Sequence, residues 1–234
     1  MPVYLLNERM IFPPPRFARE DGLLAVGGDL SQERLLLAYR QGIFPWFVEN
    51  EPILWWSPDP RLVLYPAEFR PSRSLQKIIR QKKFRITIDQ AFRRVITACA
   101  QTRMNKNEQT WIGQEMIRAY CRLYASGYAH SIEAWNENQL AGGVYGVSLG
   151  RCFFGESMFT LVRDASKAAL AALVEHLRKN SFNLIDCQVT TPHLIRLGAR
   201  EIPRALFLKQ LAKSVESPSA AERWSIETES VDAG

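Results

Sequence analysis

Apolar positions along the chain recur at two spacings, and each spacing predicts a kind of element. The stretch 22–30, "GLLAVGGDL", is a short apolar run closing on a Gly-Gly turn, and it reads as a strand. Asp29 or Ser31 then stands where a helix N-cap belongs, ahead of Leu35, Leu36 and Tyr39, and Gly42 stops that helix. "PILWWSPDPRLVLYP" follows, with prolines at 58, 60 and 66 that disfavour helix, so the chain is expected to cross extended into a second unit. The expected division is a small N-terminal domain over residues 1–62 and a larger one over 63–234.

The second unit opens with a predicted helix over about 72–82, where Leu75, Ile78 and Ile79 form an apolar stripe. Arg73, Lys77 and Arg80 stand on another face of it. Further helices are predicted at about 89–101 and 112–126. "SIEAWNENQLAGGVYGVSLGRCFFGESMFT" gives three strands broken at "NEN" and "LGR", and an Ala- and Leu-rich helix follows at about 163–179. The strand "NLIDCQV" (183–189) and a short helix near Pro192 come next. This order predicts an α/β fold on a mixed sheet.

"NLIDCQV" reads as a buried strand interrupted by an acid and an amide. Leu184, Asp186 and Gln188 share one face, Ile185, Cys187 and Val189 the other. A carboxylate placed there costs free energy unless it is paired, hydrogen-bonded or used. Glu156 in "CFFGESMF" interrupts an apolar run in the same way. The two acids and Gln188 either converge on one pocket or satisfy backbone groups and arginines; sequence physics leaves both readings open.

Composition narrows the classes. With 47% hydrophobic residues among 234, the chain can bury a sizeable core. No apolar run approaches the length of a membrane-spanning helix, and "MPVYLLNERMIFPPP" lacks the features of a signal peptide. Four scattered cysteines without a CxxC predict reduced thiols, with neither disulfide nor zinc. The three histidines, His130, His176 and His193, accompany no nucleophile motif and read as exposed or capping. No phosphate-binding loop is present, and "LAVGGDL" reads as a turn. Trp46, Trp55, Trp56 and Trp111 suit either base stacking or a core. Net charge is +6, and residues 70–85 hold seven Arg or Lys with no acid. Such a run repels itself until a polyanion binds, which favours a nucleic-acid partner. From Glu222 onward the chain turns acidic and polar and is expected to fray.

"LLAVGGDLS", "QGIFPWF", "PILWWSPDPR", "TWI", "HSIEAW", "LAGGVYGVSLG", "FFGESMF", "ASK", "LIDCQV" and "LGAREIPR", taken in order, resemble the leucyl/phenylalanyl-tRNA–protein transferase family over nearly the whole chain. The resemblance implies a bacterial cytoplasmic enzyme of the N-end rule. Such an enzyme moves Leu or Phe, and less readily Met, from aminoacyl-tRNA to a protein beginning with Arg or Lys. It implies a small N-terminal domain followed by a GNAT-like acyltransferase domain, with no metal or other cofactor, and monomer is the default expectation. It places Asp186 and Gln188 at the catalytic centre and Glu156 on the donor's α-amino group. On this reading Gln188 orients the attacking amine and Asp186 takes its proton. Trp46, Trp111, Val144, Phe153 and Ile185 become the lining of the aminoacyl pocket. Val144 departs from the family's methionine and Leu173 from its frequent aromatic, so a pocket of different shape is expected. Arg73, Lys77, Arg80, Lys82, Lys83 and Arg85 match the positive patch for the tRNA body.

Two other readings stay in view: a CoA-dependent N-acyltransferase, and a non-enzymatic RNA-binding protein. Against the first, the turn "SMFTLVRDASK" carries no glycine for the backbone nest that a pyrophosphate needs.

Overall fold

The computed structural model describes residues 2–104, 111–216 and Trp224; the fraying expected from Glu222 onward concerns residues outside this set, Trp224 apart. The chain begins with β1 (Tyr4–Leu6), β2 (Leu23–Gly27), α1 (Gln32–Arg40), β3 (Phe44–Pro45) and β4 (Leu54–Trp56). The four strands form one sheet in the order β1-β2-β4-β3. There follow β5 (Arg61–Leu64), α2 (Arg73–Arg80), β6 (Arg85–Ile88), α3 (Phe92–Met104), α4 (Gln114–Ala125), β7 (Ala129–Asn136), β8 (Gln139–Leu149) and β9 (Cys152–Thr160). The rest comprises α5 (Ala165–Lys179), β10 (Leu184–Gln188), α6 (Pro192–Ile195), β11 (Arg200–Ile202) and α7 (Arg204–Val215). A second sheet of seven strands runs β11-β5-β10-β9-β8-β7-β6. In it β10 lies parallel to β9, while the other neighbours are antiparallel. The class is mixed α/β, with a small N-terminal sheet and a larger mixed one, as the pattern predicts.

Local chemistry sets the element ends. Ser31 caps α1, its hydroxyl accepting from the Arg34 amide, while Asp29 accepts from the Ser31 amide and the Arg34 guanidinium. Gly42 ends that helix at φ +71°, where a Cβ would lie 2.6 Å from Leu208. Ser72 caps α2, which closes at Arg80, two residues short of the expected end. Glu133 in β7 accepts hydrogen bonds from Thr87, Ser131 and the backbone amides of Gln90 and Ala91, joining β6 and the start of α3 to the sheet.

Each face of the larger sheet has its own core. On one face Tyr120, Tyr145, Phe154 and Leu184 pack with Leu35, Tyr39 and Trp55, so the two sheets share apolar contacts. On the other, Val144, Phe153 and Ile185 pack under Leu170, Leu173 and Val174 of α5, with Leu75 of α2 nearby. β5 straddles the expected division after residue 62, yet all of it pairs within the larger sheet.

Candidate active site

The site forms where β9 and β10 part. Their parallel pairing runs only from Leu184–Cys152 to Asp186–Phe154. Beyond it, β9 continues to Thr160 beside β8. On its other edge, β10 slips register against β5 between Asp186 and Gln188, and Gln188 adopts φ +63°. A non-glycine residue held there costs roughly 1–3 kcal/mol, and such strain clusters at sites in use. The turn carries the Gln188 amide to β9, where Nε2 donates to Glu156 Oε1 at 2.8 Å.

Glu156 is the hub. The Tyr39 hydroxyl donates to its Oε1 at 2.8 Å, and the Tyr120 hydroxyl to its Oε2 at 2.9 Å. The two phenol oxygens also lie within hydrogen-bond reach of each other, a bond that forms only when one of the two protons turns from Glu156. Burial raises the Glu156 pKa to about 7, with the nearby Asp186 charge adding to the rise and the three donors opposing it. Both phenols are pushed well above their ordinary value, first by burial and then by the Glu156 charge, so they remain donors. A buried carboxyl that changes charge near neutrality, surrounded by fixed donors, can give and take a proton at working pH.

Asp186 meets an arginine, one of the two environments that the sequence left open. Its Oδ1 accepts from Arg61 Nε at 2.8 Å and from the Gln188 backbone amide at 2.9 Å, and its Oδ2 accepts from Arg61 Nη2 at 2.6 Å. Both Arg61 and Asp186 are fully buried. The guanidinium lies between the Phe44 and Phe207 rings, 4.8 and 4.6 Å from their centroids. Both carboxylate oxygens are thus committed to the arginine fork, and Oδ1 also ties Asp186 to the Gln188 turn.

Arg61, Tyr39 and Tyr120 were not legible as functional residues. Tyr39 and Tyr120 sit on the apolar stripes of α1 and α4, where a tyrosine reads as core. Arg61 lies in "DPRLVL", and its one available signal was Asp186 itself, a buried acid in need of a cation.

The remaining expected residues fall into groups. Val144, Phe153 and Ile185 come together on the α5 face. Trp111 packs at the edge of the opposite core, and Trp46 is 43% exposed with its ring tilted on Trp56. Arg73, Lys77, Arg80, Lys82, Lys83 and Arg85 are all exposed along α2 and the turn into β6. His130, expected at the surface or at a cap, is instead buried, its Nδ1 2.7 Å from Asp89 Oδ2. A cavity of about 500 Å³ lies under α2, lined in part by Phe69, Ile78, Phe84 and Ala171, and shares no residue with the five pocket candidates. Among the described residues, no three His, Cys, Asp or Glu side chains are grouped to hold a metal.

The comparisons with known proteins agree along the chain. A family model described as leucyl/phenylalanyl-tRNA protein transferase matches residues 63–212, and one for the N-terminal domain of that family matches residues 28–59. A leucyl/phenylalanyl-tRNA–protein transferase of Desulfatibacillum aliphaticivorans is 59% identical over 229 residues, 98% of each chain. That of Desulforapulum autotrophicum is 58% identical, covering 96% of this chain and 98% of the relative, and that of Syntrophobacter fumaroxidans is 58% identical over 96% of both. Among solved structures, L-PGS from Bacillus licheniformis superposes with a TM-score of 0.41 at 9% identity, over 72% of this chain and 54% of that one, too loosely to carry an argument.

Proposed function

The chain belongs to the leucyl/phenylalanyl-tRNA–protein transferase family, and on that premise we propose that it moves Leu, Phe or, less readily, Met from aminoacyl-tRNA to the N-terminal Arg or Lys of an acceptor protein. The observation that carries the chemistry is the Glu156 cluster, with its pKa of about 7 and its three donors.

Transfer is aminolysis of an ester already activated on tRNA. Holding the two reactants in line can remove ~7–11 kcal/mol of barrier. The acceptor's α-amine, with an ordinary pKa of about 7.7–8.0, needs only a modest base. In this reading the ester carbonyl lies at the parting of β9 and β10. The amide oxygen of Gln188 accepts a hydrogen bond from the attacking amine; ionised Glu156 takes the amine's proton as the C–N bond forms and returns it to the tRNA ribose oxygen as the ester C–O bond breaks. Glu156 then stands close enough to the donor's α-amino group to tell an aminoacyl from a plain acyl ester. The ion pair of Arg61 with Asp186 holds the Gln188 turn.

Val144, Phe153 and Ile185 supply an apolar wall for the donor side chain on the α5 face, reached through the parting of β9 and β10, with Trp46 and Trp111 at its approach from the opposite face. The exposed cations from Arg73 to Arg85 track tRNA phosphates, a contact that ignores sequence. The units 1–62 and 63–234 meet at the site: Tyr39 and Phe44 come from the first, Glu156, Gln188 and Phe207 from the second. The protein acts as a monomer in the bacterial cytoplasm.

A CoA thioester fits poorly. Asp164 precedes α5 at φ +72°, its carboxylate 2.8 Å from Lys167, so an acid stands where a pyrophosphate would seek bare amides. One incubation decides: labelled Phe-tRNA with a peptide beginning with Arg, and no CoA. Transfer of label to the peptide is expected. Acylation that requires CoA, or tRNA binding without transfer, overturns the reading.

A further inference from the structure

Trp224 lies beyond the family match, which ends at residue 212, yet its side chain reaches back onto the catalytic sheet. Its ring stacks on His130 with centroids 3.8 Å apart and planes 2° from parallel. His176 of α5 lies 4.6 Å away and Phe182 stands edge-on at 5.8 Å. The backbone amide of Trp224 donates to Asp89 Oδ2 at 3.2 Å, the same oxygen that meets His130 Nδ1. The indole is therefore seated by three side chains from separate parts of the chain, and its main chain is anchored on a fourth, Asp89.

The remaining neighbour is Phe153, 5.8 Å from the indole at 35°. Phe153 has little room elsewhere. A Cβ on Gly146 of β8 would come within 2.5 Å of its ring, so the far edge of the ring already lies close against that glycine. Phe153 is three residues before Glu156 on β9 and shares a core with Val144 and Ile185.

We propose that Trp224 is a positioning residue for donor selectivity: by backing Phe153, it fixes the depth of the pocket that receives the Leu or Phe side chain. This rests on the function proposed above. Without the indole, Phe153 gains the space that the ring filled beside His130, and turning into it deepens the pocket on that side. Shape-based selectivity is sensitive to changes of one or two carbons, each typically worth about 10–200-fold.

The test is steady-state transfer from Leu-tRNA and Phe-tRNA to an Arg-peptide, with wild type, Trp224→Ala and Trp224→Phe. In Trp224→Ala the Phe-over-Leu ratio of kcat/KM is expected to rise by roughly tenfold, chiefly through KM for Leu-tRNA. Trp224→Phe should restore the wild-type ratio. Melting curves identify a variant that has merely unfolded, and Trp224→Leu then replaces the alanine variant with the same direction expected. A folded variant whose two substrates decline equally, or not at all, overturns the inference. Wild-type protein that transfers neither amino acid overturns instead the function on which it rests.

Discussion

At the scale of residues, the proposed base is a buried carboxylate, and its burial sets stability against activity. Glu156 carries a pKa of about 7 in the fold against an ordinary 4.5. The folded state binds that proton more tightly than the unfolded chain. Its contribution to stability is therefore greatest below about pH 4.5 and is lost as pH rises to 7, by of order 3 kcal/mol. Glu156→Gln, neutral at every pH, should melt higher than wild type at pH 8 and alike near pH 4; equal melting at both would contradict the burial argument. Tyr39→Phe removes a donor to the ionised form, so the acid limb of the pH–rate profile should move upward, and a downward move would contradict the assignment. Asp186 plays the opposite part. Asp186→Asn leaves Arg61 buried beside a neutral amide and should cost about 3–5 kcal/mol in denaturant unfolding. Replacing both, Arg61→Met with Asp186→Leu, should recover most of that stability while transfer stays slow, because the Gln188 amide has lost its acceptor.

At the scale of elements, long periodic runs were readable and short ones were not. The helices at 32–40, 92–104, 114–125 and 165–179 and the three strands from Ala129 to Thr160 stand close to where the apolar pattern sets them. β6, with four residues, and β11, with three, are too brief for alternation to register, and their pairing comes from β7 and β5. α7 escaped for another reason. Its Pro203 start and its mixed Leu, Lys and Gln positions resemble a tail, and its apolar side becomes evident only once Phe207 is seen against Arg61. The basic α2 was legible, and it carries its own prediction. Lys77→Ala with Arg80→Ala should weaken tRNA binding and reduce the slope of log affinity against log salt by about 1–2. An unchanged slope would remove α2 from the tRNA interface.

At the scale of the molecule, the two sheets meet through one core, and the site draws on both sides of that seam. Asp186, Gln188 and Glu156 stood out in the sequence as acids and an amide in apolar strands, and the fold brings the three together. The sequence did not reveal that Asp186 is locked by a residue 125 positions away, nor that two core tyrosines hold Glu156. Such partners are chosen by tertiary packing and leave no local pattern. The most direct test of the account is the single-turnover rate of Phe transfer from Phe-tRNA to an Arg-peptide, measured from pH 5.5 to 9 for wild type and Glu156→Gln. Wild type should rise through an inflection near 7 and level off. Glu156→Gln should be slower by about 10²–10⁴ and keep only the later inflection of the acceptor amine. A Glu156→Gln variant with the wild-type rate and the wild-type inflection would contradict it.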